Sequence, residues 1–254
     1  MESLAGDPIV IEGGDARHIA LSLRMKQGEE LILCDGKGTE AVCAVASLCP
    51  ESVVLDVKER RASETEPKTR VTLYQALPKS DKLEYIVQKA VELGVYRIVP
   101  VLTSRCISRP DEKTAAKKRE RLCKIAAEAA KQSGMYLRKG RLACSKQSGR
   151  GIIPEVDGVL TFKNAVKEMS TAGLPIFFFE HASLPLRKYM EKYTGGDIAV
   201  MVGAEGGFSD EEAAFAEENG LLSASLGPRI LRCETAPVAA LAAIMYAAGE
   251  MEIL

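Results

Sequence analysis

The sequence predicts an α/β protein whose parallel sheet is preceded by a small β-barrel. Three observations carry that expectation. The first ~60 residues hold short β-branched runs at regular spacing, as in a small barrel. From Arg70 onward, strands alternate with longer helical stretches, the pattern of an α/β sandwich. The later strands are apolar nearly end to end, which suits parallel strands covered on both faces.

The elements follow in order. Residues 30–34, Glu-Leu-Ile-Leu-Cys, form a strand that runs into Asp35-Gly36-Lys37-Gly38, a strong turn signal. Strands at 40–45 and 52–57 follow. The polar stretch from Ala62 to Lys68 contains Pro67 and has no apolar period, so it reads as the linker between domains at 1–68 and 69–254. Residues 71–76 are the next strand. Asp81 and Glu84, three apart, resemble a capping box opening a helix that ends at Gly94. Leu83, Ile86, Val87, Ala90 and Val91 are its apolar stripe. A strand at 97–101 and a basic helix from about Glu112 to Gln132 come next. Later strands lie at 175–179, 198–202 and 222–226. Ser209 and Glu212 make a second capping box, for a helix stopped by Asn219-Gly220. Thr235 is the expected N-cap of a last helix, rich in small residues, that serves either the core or a dimer contact.

Composition narrows the function. With 46% hydrophobic and 27% charged residues, the chain is ordinary for a globular protein. No apolar run nears the ~20 residues of a membrane span. No basic-then-apolar leader follows Met1, so a cytoplasmic location is expected. Seven cysteines without a C-x-x-C pair, and only His18 and His181, give no metal-ligand spacing; reduced, mostly buried thiols are expected. Each histidine reads as a structural hydrogen-bonding residue. Between Lys113 and Arg150 stand twelve Lys or Arg and two acids, a local charge of +10 in a chain of −1. Such a stretch is either the footprint of a polyanion or a solvated helix face.

Three strands end in unusual loops. Ligands of open α/β sheets bind outside the carboxyl ends of the strands. Residues 180–182, 203–207 and 227–232 therefore share one rim. Gly206-Gly207 permits close backbone approach and positive φ, for a ligand or simply for a tight turn. The helix that follows opens with three acids, which disfavour phosphate and suit a cationic or neutral small molecule. Neither a Walker A motif nor G-x-G-x-x-G is present, which argues against a nucleotide-dependent oxidoreductase.

Residues 202–209, Val-Gly-Ala-Glu-Gly-Gly-Phe-Ser, and 226–236, Leu-Gly-Pro-Arg-Ile-Leu-Arg-Cys-Glu-Thr-Ala, strongly resemble the signature loops of the RsmE family. These are uridine-N3 methyltransferases of 16S ribosomal RNA in the SPOUT superfamily. Residues 76–82, Ala-Leu-Pro-Lys-Ser-Asp-Lys, through Glu92-Leu93-Gly94 are similar to another family marker, as are 128–133 and the N-terminal His18, Leu23-Arg24, Gly28 and Asp35-Gly36. The chain departs from the pattern at Ala204, where proline is usual, at Leu122, where tryptophan often stands, and in lacking an early Arg-Phe-Phe.

The resemblance implies a PUA-like N-terminal barrel, a C-terminal domain with a trefoil knot, a homodimer, and S-adenosyl-L-methionine held in the knot's loops. Backbone of Gly203, Gly206, Leu226 and Ile230 would hold adenine and ribose, with Phe179, Val202, Gly227, Leu231 and Arg232 completing the site. Glu180 and Glu205 would favour the sulfonium. Arg232 is the expected cation beside the uracil, and Glu234 would orient it or accept a proton. Arg17, Arg24, Lys117, Lys118, Arg121 and Arg138 would contact the phosphates of the 16S ribosomal RNA in the small subunit. A non-catalytic RNA-binding protein and a SPOUT enzyme acting on another nucleoside position are the rival readings.

Overall fold

A computed structural model describes residues 4, 6–63, 65–132 and 150–252. The described chain forms two compact units, one of residues up to Glu66 with 130–132 and 150–153, the other of Pro67–Ala129 with residues 154–252.

The first unit opens with β1 (Ile9–Glu12), the short helix α1 (Gly13–Arg17) and a π-helical turn (His18–Ser22), all beyond the elements expected from the sequence. Strands β2 (Glu30–Cys34), β3 (Thr39–Leu48) and β4 (Ser52–Ala62) follow. They make a four-stranded antiparallel sheet in the order β1-β4-β3-β2. Alternate residues of β3 and β4, among them Ala41, Cys43, Val45, Val53 and Leu55, point into one core with Ile9, Ile19 and Leu31. Residues 150–153 return to this unit. Gly38 N–H donates to the Gly151 carbonyl, and Ile153 N–H to that of Gly36.

Arg150, counted in the basic stretch, is corrected by the structure: it is 4% exposed and not available to a polyanion. Its guanidinium forks onto Glu66, with Nε 2.9 Å and Nη2 2.9 Å from the carboxylate. Glu66 also accepts from the Ile152 backbone N–H. Removing one partner of a buried pair strands the other's charge. Arg150→Met is therefore expected to destabilise the fold by about 3–5 kcal/mol, read as a lowered melting temperature; an unchanged melt would show the pair to be dispensable.

The second unit is built on a parallel sheet. Its elements are β5 (Val71–Ala76), α2 (Lys82–Glu92), β6 (Arg97–Leu102), α3 (Glu112–Gln132), β7 (Glu155–Val156), β8 (Leu160–Thr161), α4 (Phe162–Met169), β9 (Leu174–Phe178), α5 (Leu186–Met190), β10 (Ile198–Val202), α6 (Asp210–Glu218), β11 (Leu222–Ala224) and α7 (Thr235–Ala247). The strand order is β11-β9-β10-β5-β6-β7, with β8 also on β6. Every residue of β10, the central apolar strand, is buried. One core gathers Phe162, Val166 and Met169 of α4, Phe177 of β9, Met201 of β10, and Phe208 and Ala213. Each such large side chain contributes roughly 1.5–3 kcal/mol on burial. Helices α2 and α7 pack on each other, and α7 also packs on β5.

Two expected caps differ. Asp81 sits at φ −91° and ψ 10° and makes no side-chain cap. An N-cap needs extended backbone, and the carbonyl of Asp81 already takes the Glu84 N–H. The Glu84 carboxylate instead pairs with Arg121 at 2.8 Å. At α7, Glu234 stands at the cap position and Thr235 is inside the helix. The N–H groups of Thr235 and Ala236 go to the Arg232 carbonyl, so a turn leads directly into the helix without a side-chain cap. The Ser209–Glu212 capping box is present in full. Helix α4, with Phe162, Ala165, Val166 and Met169 buried at helical spacing, and helix α5 lie outside the sequence expectations. No helix among the described residues is long and apolar enough to cross a membrane.

Candidate active site

The ends of β9, β10 and β11 converge on one cavity of about 700 Å³. Its wall combines all three expected loops. Phe179 and Glu180 follow β9; Val202 ends β10, and Gly203 and Glu205 follow it; Leu226, Gly227, Ile230, Leu231 and Arg232 follow β11. Backbone pairing ties two of these loops together: Ser225 N–H donates to the Leu184 carbonyl, and Leu186 N–H to that of Ser225.

The glycine loop after β10 is held from several sides. Gln75 is buried, and its Nε2 donates to the carbonyls of Gly203 at 3.2 Å and Ala76 at 3.1 Å. A Cβ on Gly203 would lie 3.1 Å from Gly207 Cα and 3.2 Å from the Phe208 ring, so this approach admits only glycine without displacement. Gly207 has φ +61°, a left-handed conformation natural to glycine. Gly206 is not in the cavity wall. Arg105 packs against it and donates Nη1 to its carbonyl at 3.0 Å. Glu212 uses one oxygen for the capping box and the other for the Ser104 N–H at 2.7 Å, which fastens the loop after β6 to the start of α6.

Charge is distributed unevenly around the wall. Glu180 and Glu205 present carboxylates. Arg229 and Arg232 line the wall as exposed cations that form no ion pair among the described residues. Glu234 lies outside the wall. Among the described residues it makes no ion pair with Arg232; it pairs with Lys82 Nζ at 3.2 Å. Lys82 also meets Glu205 at 3.0 Å. Hydrogen bonds to Glu205 and Glu234 hold the Lys82 ammonium well above the usual lysine range. Partial burial pushes Glu205 up, but its own backbone N–H, Lys82 and the Lys79 N–H outweigh it and hold the carboxyl below the usual range. The Cys233 thiol and Lys82 likewise hold Glu234 low. Burial and the Glu234 carboxylate push the Cys233 thiol up to about 12, so it stays protonated as a donor.

Lys82, Ala182, Ser183, Pro185, Ser225, Pro228, Arg229 and Cys233 are wall residues beyond those chosen from the sequence. Of these, Lys82 stands in the 76–82 marker, Ala182 in the 180–182 loop, and Pro228, Arg229 and Cys233 in the 226–236 motif, whereas Ser183, Pro185 and Ser225 lie outside the quoted motifs. His181 is exposed, edge-on to Phe179 at 5.2 Å. Of the expected phosphate contacts, Arg17 and Arg24 are exposed in the first unit, Lys117 is exposed and Lys118 half-buried on α3, and Arg121 shares its charge with Glu84. Arg138 lies outside the described residues. Among the described cysteines, Cys43, Cys106 and Cys233 are buried, Cys34 and Cys123 half-buried, and Cys49 exposed, so burial is less general than expected.

A cavity at the carboxyl rim of a parallel sheet, walled by three strand-end loops, defines a small-molecule enzyme site. Comparison with known proteins specifies which. A family described as RNA methyltransferase domain matches residues 65–139 and 136–245, and one described as RNA methyltransferase PUA domain matches 11–58. Ribosomal RNA small subunit methyltransferase E of Bacillus subtilis is 34% identical, covering 93% of this chain and 89% of that protein. Its Mycobacterium bovis counterpart is 30% identical over 94% of this chain and 86% of that protein. A Neisseria gonorrhoeae enzyme of the same name, solved bound to S-adenosyl methionine, superposes with a TM-score of 0.77 at 28% identity, covering 97% of this chain and 95% of that one. A putative methyltransferase of Legionella pneumophila, also with that cofactor, gives a TM-score of 0.76 at 30% identity over 97% and 95% of the two chains. The chain belongs to the ribosomal RNA small subunit methyltransferase E family.

Proposed function

We propose that the protein methylates N3 of a uridine in the 16S ribosomal RNA of the small subunit, using S-adenosyl-L-methionine, in the cytoplasm and as a homodimer. The observation that carries this reading is the single cavity shared by the loops after β9, β10 and β11. Its volume suits a nucleoside-sized ligand. Two wall carboxylates, Glu180 and Glu205, suit a cationic one. S-adenosylmethionine supplies an electrophilic methyl group on a positively charged sulfur.

The acceptor dictates the remaining requirements. Uridine N3 bears a weakly acidic proton and lies on the base's pairing edge, so the base must be unpaired or everted. As the proton leaves, negative charge spreads to the uracil oxygens. Arg232 stabilises that charge; its position in the wall as an exposed cation supports the role. Glu234, engaged by Lys82 and Cys233, acts on loop geometry rather than on Arg232. Arg17, Arg24, Lys117, Lys118, Arg121 and Arg138 hold phosphate.

The trefoil knot belongs to the same proposal. In its support, the chain leaves edge strand β11, passes through residues 225–234 at the carboxyl rim, and then places α7 against β5 and α2. The exposed Tyr246 on a helix of small residues supports α7 as the dimer contact.

Nucleoside analysis of 16S ribosomal RNA from a strain lacking the gene tests the reading. Loss of 3-methyluridine, regained on complementation, is expected; an unchanged 3-methyluridine content would refute it. RNA affinity is also expected to fall steeply with salt, by about 0.7–0.9 log units per log unit of salt for each phosphate neutralised. A flat response would remove the phosphate-binding role from α3.

A further inference from the structure

We infer that Lys82 is a positioning residue that locks two loops of the methyl-donor cavity into their binding geometry, an inference that rests on reading this cavity as the donor site. The Lys82 ammonium has three donor protons and meets three acceptors: Glu205 at 3.0 Å, Glu234 at 3.2 Å and the Cys233 sulfur at 3.6 Å. Glu205 sits in the loop after β10, and Cys233 and Glu234 in the segment entering α7. Lys82 itself starts α2, whose apolar stripe, Leu83 through Val91, is buried. One cation on a rigid helix thus joins segments 123 and 152 positions away in the sequence.

Charge explains the need for it. Glu205 and Glu234 are both held ionised, and two carboxylates facing each other repel unless a cation stands between them. No other charged group from α5, α7 or β5 pairs with either among the described residues. Glu205 is further fixed by the Lys79 backbone N–H at 3.2 Å. The Lys82 side chain is 35% exposed, and partly exposed ion pairs add little to overall stability. The effect of the cluster is therefore local: it preorganises the loops, which lowers the ordering cost of binding. Its two carboxylates and one ammonium also leave a net charge of −1 beside a site for a cationic donor.

Calorimetric titration of S-adenosylmethionine and S-adenosylhomocysteine into the full-length protein, Lys82→Met and Lys82→Arg tests this. Lys82→Met is expected to weaken both ligands by about tenfold, through lost preorganisation. The neutral thioether loses more than the sulfonium, because two uncompensated carboxylates partly favour the cation. Lys82→Arg keeps the cation and stays within about threefold of the parent. Both variants melt within about 3 °C of the parent, as the loss of partly exposed ion pairs predicts. Parent-like binding of both ligands by Lys82→Met would overturn the inference, as would equal losses in Lys82→Met and Lys82→Arg. A parent protein that binds neither ligand would instead overturn the donor-site reading, and the lock with it.

Discussion

Replacing Arg232 with alanine is expected to lower kcat by about 10²–10³-fold while leaving the dissociation constant for S-adenosylmethionine within about threefold. The expectation follows from where its charge is placed. Arg232 lines the cavity, is exposed, and forms no ion pair among the described residues. A guanidinium without a protein carboxylate partner keeps its full charge for a ligand. The donor is cationic at sulfur, so an arginine beside the transferring methyl group is repelled by that end of it rather than holding it. An acceptor base losing its proton becomes anionic only on the way to the transition state. Interactions made mainly there raise kcat rather than binding. Single-turnover kinetics with saturating donor, beside a calorimetric titration, separates the two quantities. Matching losses in both would mean that Arg232 holds the donor.

The second large effect is expected at Gly203. Gly203→Val should cut donor affinity more than about tenfold and destabilise the unit by roughly 1–3 kcal/mol, as overpacking does. The first β-carbon alone would lie 3.1 Å from Gly207 Cα and 3.2 Å from the Phe208 ring. Neither neighbour has room to withdraw. Phe208 is buried, 4.4 Å from the Phe177 ring by centroid and 6.0 Å from that of Phe162. Gly207 is held by its N–H to the Ala204 carbonyl, and Glu180 Oε2 lies 3.2 Å from the point where a Cβ on Gly207 would stand. The backbone would have to shift into the cavity or away from Gln75, and either movement spoils the donor wall. Titration calorimetry and a thermal melt read the two consequences. A variant that binds the donor normally would show that this loop tolerates the space.

These expectations use both what was legible in the sequence and what was not. The loop after β10 was legible because its signals are local: two glycines, then Ser209 and Glu212 at capping-box spacing, and the box forms. Apolar runs likewise marked β5, β9 and β10, which lie adjacent and parallel at the sheet centre, apart from the order in which they pair. The same local rule failed at Asp81, because Asp81 adopts a non-extended backbone and Glu84 finds Arg121 across space. Residue counts registered Arg150 as part of a basic footprint but not its direction, which is inward onto Glu66. Lys82 is the clearest case. Nothing near it in the chain announces Glu205 or Glu234; the packing of α2 against α7 brings it to Glu234, and the loop after β10 brings Glu205 to it. Arg232 and Glu234 stand two residues apart, a spacing that allows Glu234 either to orient Arg232 or to accept a proton; the turn into α7 sends Arg232 to the cavity and pairs Glu234 with Lys82.

The most direct test of the account is a crystal structure of the protein grown with S-adenosylmethionine. The ligand is expected between the loops after β9, β10 and β11, in contact with the backbone of Gly203 and Leu226, with Arg232 still free to face an incoming base. A ligand found elsewhere on the molecule, or a cavity whose three loops stay clear of it, would contradict the account.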